Sequence, residues 1–325
     1  MAYRYRRSIK IAPGMKVNLT KTGFGMTVGG RGAHYSVHSS GRRTTSIGIP
    51  GTGLSYVSSH KADSTHQSAS HQLQRVSPPK PGLFASKGEK LIYEALKSGL
   101  DATLLGQAET ITQYTSTARL FRALGMANED KAGAIEILQG LHSADYRPEN
   151  DKIVQKYAAA SKLSIGLAPN IILNLSLNYD DLTLFLAELY RQHDQLKEAS
   201  AILQDAASGF HKSLFICHLC SIAEKYEPII SITNDLKNES DEAMLFLIYR
   251  AIALGETDHI DASLATFKEA LRYPSRSLDL RMLGWRERGK IYMKAGKKSL
   301  ARKDFGKVFA ENSEYSEINE LIGFV

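Results

Sequence analysis

The sequence predicts an α+β protein, mostly α: a small antiparallel β-meander, a linker, and a helical repeat array carrying one inserted β-hairpin. Three observations carry this. Apolar residues alternate between glycine turns through residue 58. A Ser, His, Gln and Pro-rich stretch occupies 59–88. Helical periodicity runs from 89 to 325. The expected domains are therefore a glycine-rich β module (1–58), a flexible linker (59–88) and a helical repeat domain (89–325).

In the first segment the alternation falls on Val17 and Leu19, on Phe24, Met26 and Val28, on Tyr35 and Val37, on Ile47 and Ile49, and on Leu54 and Tyr56. Turn signals separate them: Pro13-Gly14, Thr22-Gly23, Gly29 to Gly32, Ser40-Gly41 and Pro50 to Gly53. Period-two alternation gives the sheet one apolar face and one polar face. So thin a sheet needs its apolar face covered. The candidates are the helical array, a later hairpin, or another copy of the chain. The linker buries too little apolar surface to offset its ordering entropy, and His60, His66 and His71 read there as solvated side chains.

From Glu89 the period changes. "GEKLIYEALKSGL" sets Leu91, Ile92, Ala95 and Leu96 on one helix face. Three later stretches read as helix pairs, with breaks near His193-Asp194, Gly255 and Gly296. The clearest has Trp285, Gly289, Tyr292, Gly296, Ala301 and Phe305. An earlier one has Leu186, Ala187, Tyr190, Ala199, Leu203 and Ala206, and another has Phe267, Ala270 and Leu271. "HKSLFICHLCSIAEKYEPIISITNDLKN" fits between them as a degenerate copy. The copies begin near residues 180, 210, 244 and 282, steps of 30, 34 and 38. At these spacings the stretches resemble tetratricopeptide repeats over about 180–315. Arg288, where that family has Leu, and Ser313, where it has Pro, depart from the pattern. Small residues at Ala187, Ala199, Gly289 and Ala301 suit close helix approach, and Trp285, Tyr292 and Phe305 fill gaps between pairs. Residues 89–160 are helical but match the repeat poorly, as expected of elements that continue or cap the stack.

One stretch interrupts the helices. "LSIGLAPNIILNLSLNYDD" alternates like strands around Pro169-Asn170, predicting a hairpin over about 163–177. It echoes "SIKIAPGMKVNLTKTG": Ile9, Ala12, Pro13, Asn18 and Leu19 recur as Ile165, Ala168, Pro169, Asn174 and Leu175. Asn170 stands where Gly14 stood, and both residue types tolerate a left-handed turn. The hairpin could join an edge of the N-terminal sheet.

The net charge of +7 is uneven. Residues 1–88 hold 13 of the 41 Lys and Arg but only one acid, Asp63, giving +12 against −5 for the remainder. The first segment therefore suits an acidic surface. No apolar run is long enough for a membrane span, and the basic start lacks the apolar core of a signal peptide, so a cytoplasmic location is expected. Two cysteines make no disulfide framework.

"SIGIPGTGLSYVSS" approaches a phosphate-binding loop from Gly48 to Ser55, but Leu54 replaces the required Lys and a strand pattern follows instead of a helix. A hairpin turn is the better reading, as it is for Gly29 to Gly32. The N-terminal residues "GFGMTVGGRG" and "GIPGTGLSY" resemble a bacterial glycine-rich domain of unknown function over residues 3–57. That resemblance implies a compact β module and carries no activity. Cys217 and Cys220 lie inside an apolar helix pattern, where cysteine acts as a small buried hydrophobe. Glu188, His193 and Asp194 lie close in sequence at a helix end and read as surface.

No catalytic constellation, metal set or cofactor motif is visible, so a non-enzymatic protein-protein interaction scaffold is expected, with no cofactor. The repeat resemblance implies a groove lined by first helices, binding a protein or peptide partner through Glu188, Arg191, Arg286 and Lys290. The module would serve docking or self-association. The alternative is a nucleic-acid-binding protein using a basic face of Arg4, Arg6, Arg7, Arg31, Arg42 and Arg43, with Tyr3 and Tyr5 interleaved.

Overall fold

A computed structural model of the chain describes residues 78–325 in full and, before them, the backbone of six strands. The chain divides into two compact units, Ser68–Asn234 and the pair Met1–Gln67 with Asp235–Val325. The division falls inside the 89–325 segment that reads as one helical domain in the sequence. Among the described residues helices dominate and the strands form two antiparallel sheets, so the chain is α+β and mostly α.

The strands β1 (Arg6–Ala12), β2 (Met15–Thr20), β3 (Gly23–Gly30), β4 (Ala33–His38), β5 (Arg42–Gly48) and β6 (Ser55–Lys61) form a six-stranded meander in chain order. The pairing sets the alternating apolar positions opposite one another: Val17 with Met26, Leu19 with Phe24, Met26 with Val37, Val28 with Tyr35, and Ile47 with Tyr56. Because the period is two, this register collects them on one face. β6 continues to Lys61, past the boundary expected at 58. Ile49, Leu54 and linker residues 62–77, with His66 and His71, lie outside the described residues.

In the second unit, α1 (Lys87–Lys97), α2 (Ala102–Glu109), α3 (Thr115–Met126), α4 (Lys131–Ser143) and α5 (Lys152–Tyr157) precede a hairpin of β7 (Lys162–Ala168) and β8 (Ile171–Ser176). Then come α6 (Tyr179–Gln192), α7 (Leu196–Ile202), α8 (Phe210–Ile222) and α9 (Glu227–Ile232). Side chains satisfy the exposed N–H groups at many of the helix starts: Ser86, Asp101, Asp130, Asp151 and Asn178 cap α1, α2, α4, α5 and α6. Ile92, Leu105, Phe121, Leu138, Leu163, Ile165, Leu175, Leu184 and Phe215 are among the fully buried side chains. The hairpin matches the sequence expectation, with Asn170 in the left-handed conformation at φ +62°. It forms a two-stranded sheet of its own.

In the other unit the helices are α10 (Asp241–Glu256), α11 (Ile260–Ala270), α12 (Leu278–Lys294), α13 (Lys298–Glu311) and α14 (Ile318–Gly323). Met282, Ala301, Phe305, Val308, Tyr315 and Ile318 form a buried cluster, with Trp285 and Tyr292 packed at its margin. In this unit α13 runs alongside β3 and β4. The break expected near Gly255 follows just after it. Gly255 lies inside α10, buried, and a Cβ there would sit 2.3 Å from Cδ1 of Ile291 on α12. Its smallness serves helix contact, and the break follows at Thr257–His259.

Candidate functional site

Four helix pairs share one turn. Asp194, Glu224, Asp258 and Gly296 have φ of +58°, +55°, +61° and +69°. After each, the next residue's N–H donates to a carbonyl five residues back: Gln195 to Tyr190, Lys225 to Cys220, His259 to Leu254 and Lys297 to Tyr292, each at 2.8 Å. This is the bond that closes a helix C-terminus through a left-handed residue. The turns are 30, 34 and 38 residues apart, the same steps as the register starts read from the sequence. The pairs α6/α7, α8/α9, α10/α11 and α12/α13 are thus one design used four times.

The same steps align the contact positions. Ala187, Cys217, Ala251 and Gly289 occupy one buried position of the first helix, and Ala199, Ile229, Ser263 and Ala301 occupy one of the second. Gly289 lies so close to Phe305 that a Cβ would be 2.2 Å from the ring. Ser263 keeps its hydroxyl satisfied by donating to the Ala251 carbonyl at 2.6 Å. Cys217 therefore stands where its neighbours are Ala and Gly, and burial pushes its thiol up to about 12. Burial raises the Cys220 thiol as well. These are poor conditions for thiolate chemistry. Arg288, the departure from Leu, bridges α12 to α13 by two bonds to buried Asp304, at 2.6 and 2.9 Å, and Lys307 adds a third at 2.7 Å.

The four residues expected to line a groove do not form an open set. Glu188 is only 1% exposed and is held by Arg191 at 2.6 and 2.7 Å and by Gln192 at 2.8 Å. That bond holds the Arg191 guanidinium more firmly charged than usual. Arg286 is mostly buried, donates to Glu287 at 2.6 Å and lies over the Tyr315 ring. Lys290 pairs with Glu317 at 3.2 Å, which lowers the Glu317 carboxyl. The expectation is corrected accordingly: each charge is engaged by its own unit, and Glu188 is closed to a partner. Glu188, His193 and Asp194 form no cluster either, since His193 and Asp194 are exposed helix-end residues and Asp194 takes the turn.

Other polar residues matter more than the sequence suggested. Buried Asp181 accepts from His211 of α8 at 2.8 Å and from the Ser176 N–H at 2.7 Å. His218 is buried beside Phe215, and desolvation depresses its pKa to about 4. The register held the signal for both: Asp181 and His211 are second residues of their copies, and Glu188 and His218 are ninth. At the start of α6 the Tyr179 ring stacks on His142 at 5.1 Å, with the Arg147 guanidinium 4.5 Å from the ring centre.

In the module, β5 ends at Gly48 and β6 begins opposite it at Ser55, so the near-match to a phosphate loop joins two antiparallel strands. Gly30 opposite Ala33 gives the same result for the earlier glycines. The register separates the basic residues: Arg7 and Arg43 fall in the rows of Leu19 and Val37, while Arg6 and Arg42 belong to the alternate rows. The expected single basic face is thereby divided. Arg4 and Arg31 lie outside the described residues. Among the described residues no group of three or more His, Cys, Asp or Glu could hold a metal ion, and no helix is long and apolar enough to cross a membrane.

No curated protein matches the chain. Residues 3–57 match a family described as protein of unknown function (DUF4236). Among solved structures the chain is similar to the N-terminal domain of the EccA1 ATPase from the ESX-1 secretion system of Mycobacterium tuberculosis. The TM-score is 0.55 and the identity 12%, over 73% of this chain and 88% of that one, a likeness of fold.

Proposed function

We propose that the chain is a non-enzymatic scaffold whose helix pairs bind a protein or peptide partner and whose β module mediates docking or self-association. The observation that supports this is the helix-pair turn repeated at Asp194, Glu224, Asp258 and Gly296. Repeated pairs of this kind leave rows of outward side chains that can change without disturbing the packed positions, which suits recognition. The tetratricopeptide-like spacing and the fold likeness agree with such a role.

The test is crosslinking of the tagged chain in its native extract, followed by identification of linked peptides. The reading predicts links from exposed lysines of the pairs, such as Lys197, Lys225, Lys268 and Lys298, to one protein. Links absent from the pairs, or spread over unrelated proteins, would contradict it. Salt-sensitive retention on DNA or RNA, lost when Arg6, Arg7, Arg42 and Arg43 become Ala, would replace it with the nucleic-acid alternative.

A further inference from the structure

The β7–β8 hairpin repeats the β1–β2 hairpin residue for residue. In the first, Arg6, Arg7, Ser8, Ile9, Lys10 and Ala12 pair with Thr20, Leu19, Asn18, Val17, Lys16 and Met15, with a register shift between Lys10 and Ala12. In the second, Lys162, Leu163, Ser164, Ile165, Gly166 and Ala168 pair with Ser176, Leu175, Asn174, Leu173, Ile172 and Ile171, with the shift between Gly166 and Ala168. Each position is offset by the same 156 residues. β8 is therefore the counterpart of β2, an interior strand that β3 covers along its far side. Among the described residues no third strand covers β8.

The composition of β8 fits an interior strand. Exposed edges are normally blunted by charge or proline. β1 carries Arg6, Arg7 and Lys10, β6 carries Lys61 and β7 carries Lys162, but "IILNLS" has neither charge nor proline. At the place of Lys16 in β2 it has Ile172, 46% exposed. The open side is identifiable. Ser176 turns its N–H from β7 to Asp181, so Ile172 and Asn174, of the same parity, direct their backbone groups outward. Ile171, Leu173 and Leu175 are buried on the face toward α6.

We infer that β8 pairs antiparallel with β8 of a second copy of this chain. Among the described residues this is the one strand edge free of charge; it is matched with itself, and the contact closes by two-fold symmetry. Buried faces stay continuous only when residue numbers across the junction sum to an even value. Registers centred on Leu173 and on Asn174 give the same number of pairs, but the second uses Ser176, whose N–H is already donated to Asp181; the register centred on Leu173 avoids it, placing Ile171 opposite Leu175 and Ile172 opposite Asn174. This goes beyond the proposed function, which gives self-association to the β module, by naming a second surface in the Ser68–Asn234 unit.

The test uses full-length chains carrying Ile172→Cys or Asn174→Cys, oxidised singly and as a mixture, beside the native chain as background for Cys217 and Cys220. The mixture is expected to give a disulfide-linked dimer above that background. Linkage in a single variant also supports edge pairing, in a register shifted by one pair. Ile172→Lys, which restores the residue β2 carries, is expected to weaken association about tenfold. A chain that stays monomeric, or that associates through the module with no linkage at β8 and no response to Ile172→Lys, overturns the inference. The second of these results leaves the scaffold reading standing.

Discussion

His218 shows how one buried side chain sets a condition on stability. Its pKa falls from 6.5 to about 4 because burial disfavours the imidazolium. Between those values the unfolded chain binds a proton that the folded chain refuses. Stability should therefore be level above about pH 6.5 and fall as pH drops toward 4, by up to about 3 kcal/mol. Unfolding by denaturant across that range checks this, and His218→Gln should remove that part of the slope. Gly289 sets a steric condition instead. Gly289→Ala should cost about 1–3 kcal/mol, because the Phe305 ring it would strike is fully buried. Thermal unfolding measures it. Gly289 was legible as a close-approach residue from its spacing to Ala301 and Phe305. The pairing of Asp181 with His211 was open only to a comparison of equivalent repeat positions, because hydropathy periodicity records which face is apolar and says nothing of which charges meet across neighbouring pairs.

At the scale of elements, the α12/α13 pair replaces an apolar contact with a buried ion pair. Arg288→Leu should be destabilising, on the order of 3 kcal/mol, since Asp304 is 2% exposed and would keep only Lys307. Arg288→Leu with Asp304→Leu should recover most of that loss, and comparing the two by chemical denaturation separates lost charge from lost packing. The turns give an opposite pair of outcomes. Glu224 holds a left-handed conformation that glycine adopts freely, so Glu224→Gly should stabilise by up to about 1 kcal/mol and Gly296→Ala should destabilise by a similar amount. Three of the four helix pairs were legible from periodicity and the fourth only as a degenerate copy fitted between them; the structure shows Cys217 and Ile229 at the positions where the other copies carry Ala, Gly or Ser. The break after α10 was legible near Gly255, but the role of Gly255 itself was not, because glycine marks both a helix stop and a helix contact. Only the neighbouring Ile291 decides between them.

For the whole molecule, the sequence foretold the meander, the helices and the hairpin between them, since each rests on a local period. It set Glu188, Arg191, Arg286 and Lys290 on one recognition surface, and of these the structure closes Glu188 to a partner. Those positions follow from the repeat, but their occupants are tied down by Gln192, Glu287, Tyr315 and Glu317, which repeat spacing alone does not bring together. Function by surfaces, with assembly through strands, is the central claim. Light scattering on a sizing column tests it most directly, comparing the intact chain with one lacking residues 1–61 and recording nucleic-acid against protein absorbance. The account predicts an intact chain larger than a monomer, a smaller assembly without the module, and a protein-like spectrum for both. Two monomers at high concentration, or a peak carrying nucleic acid, would contradict it.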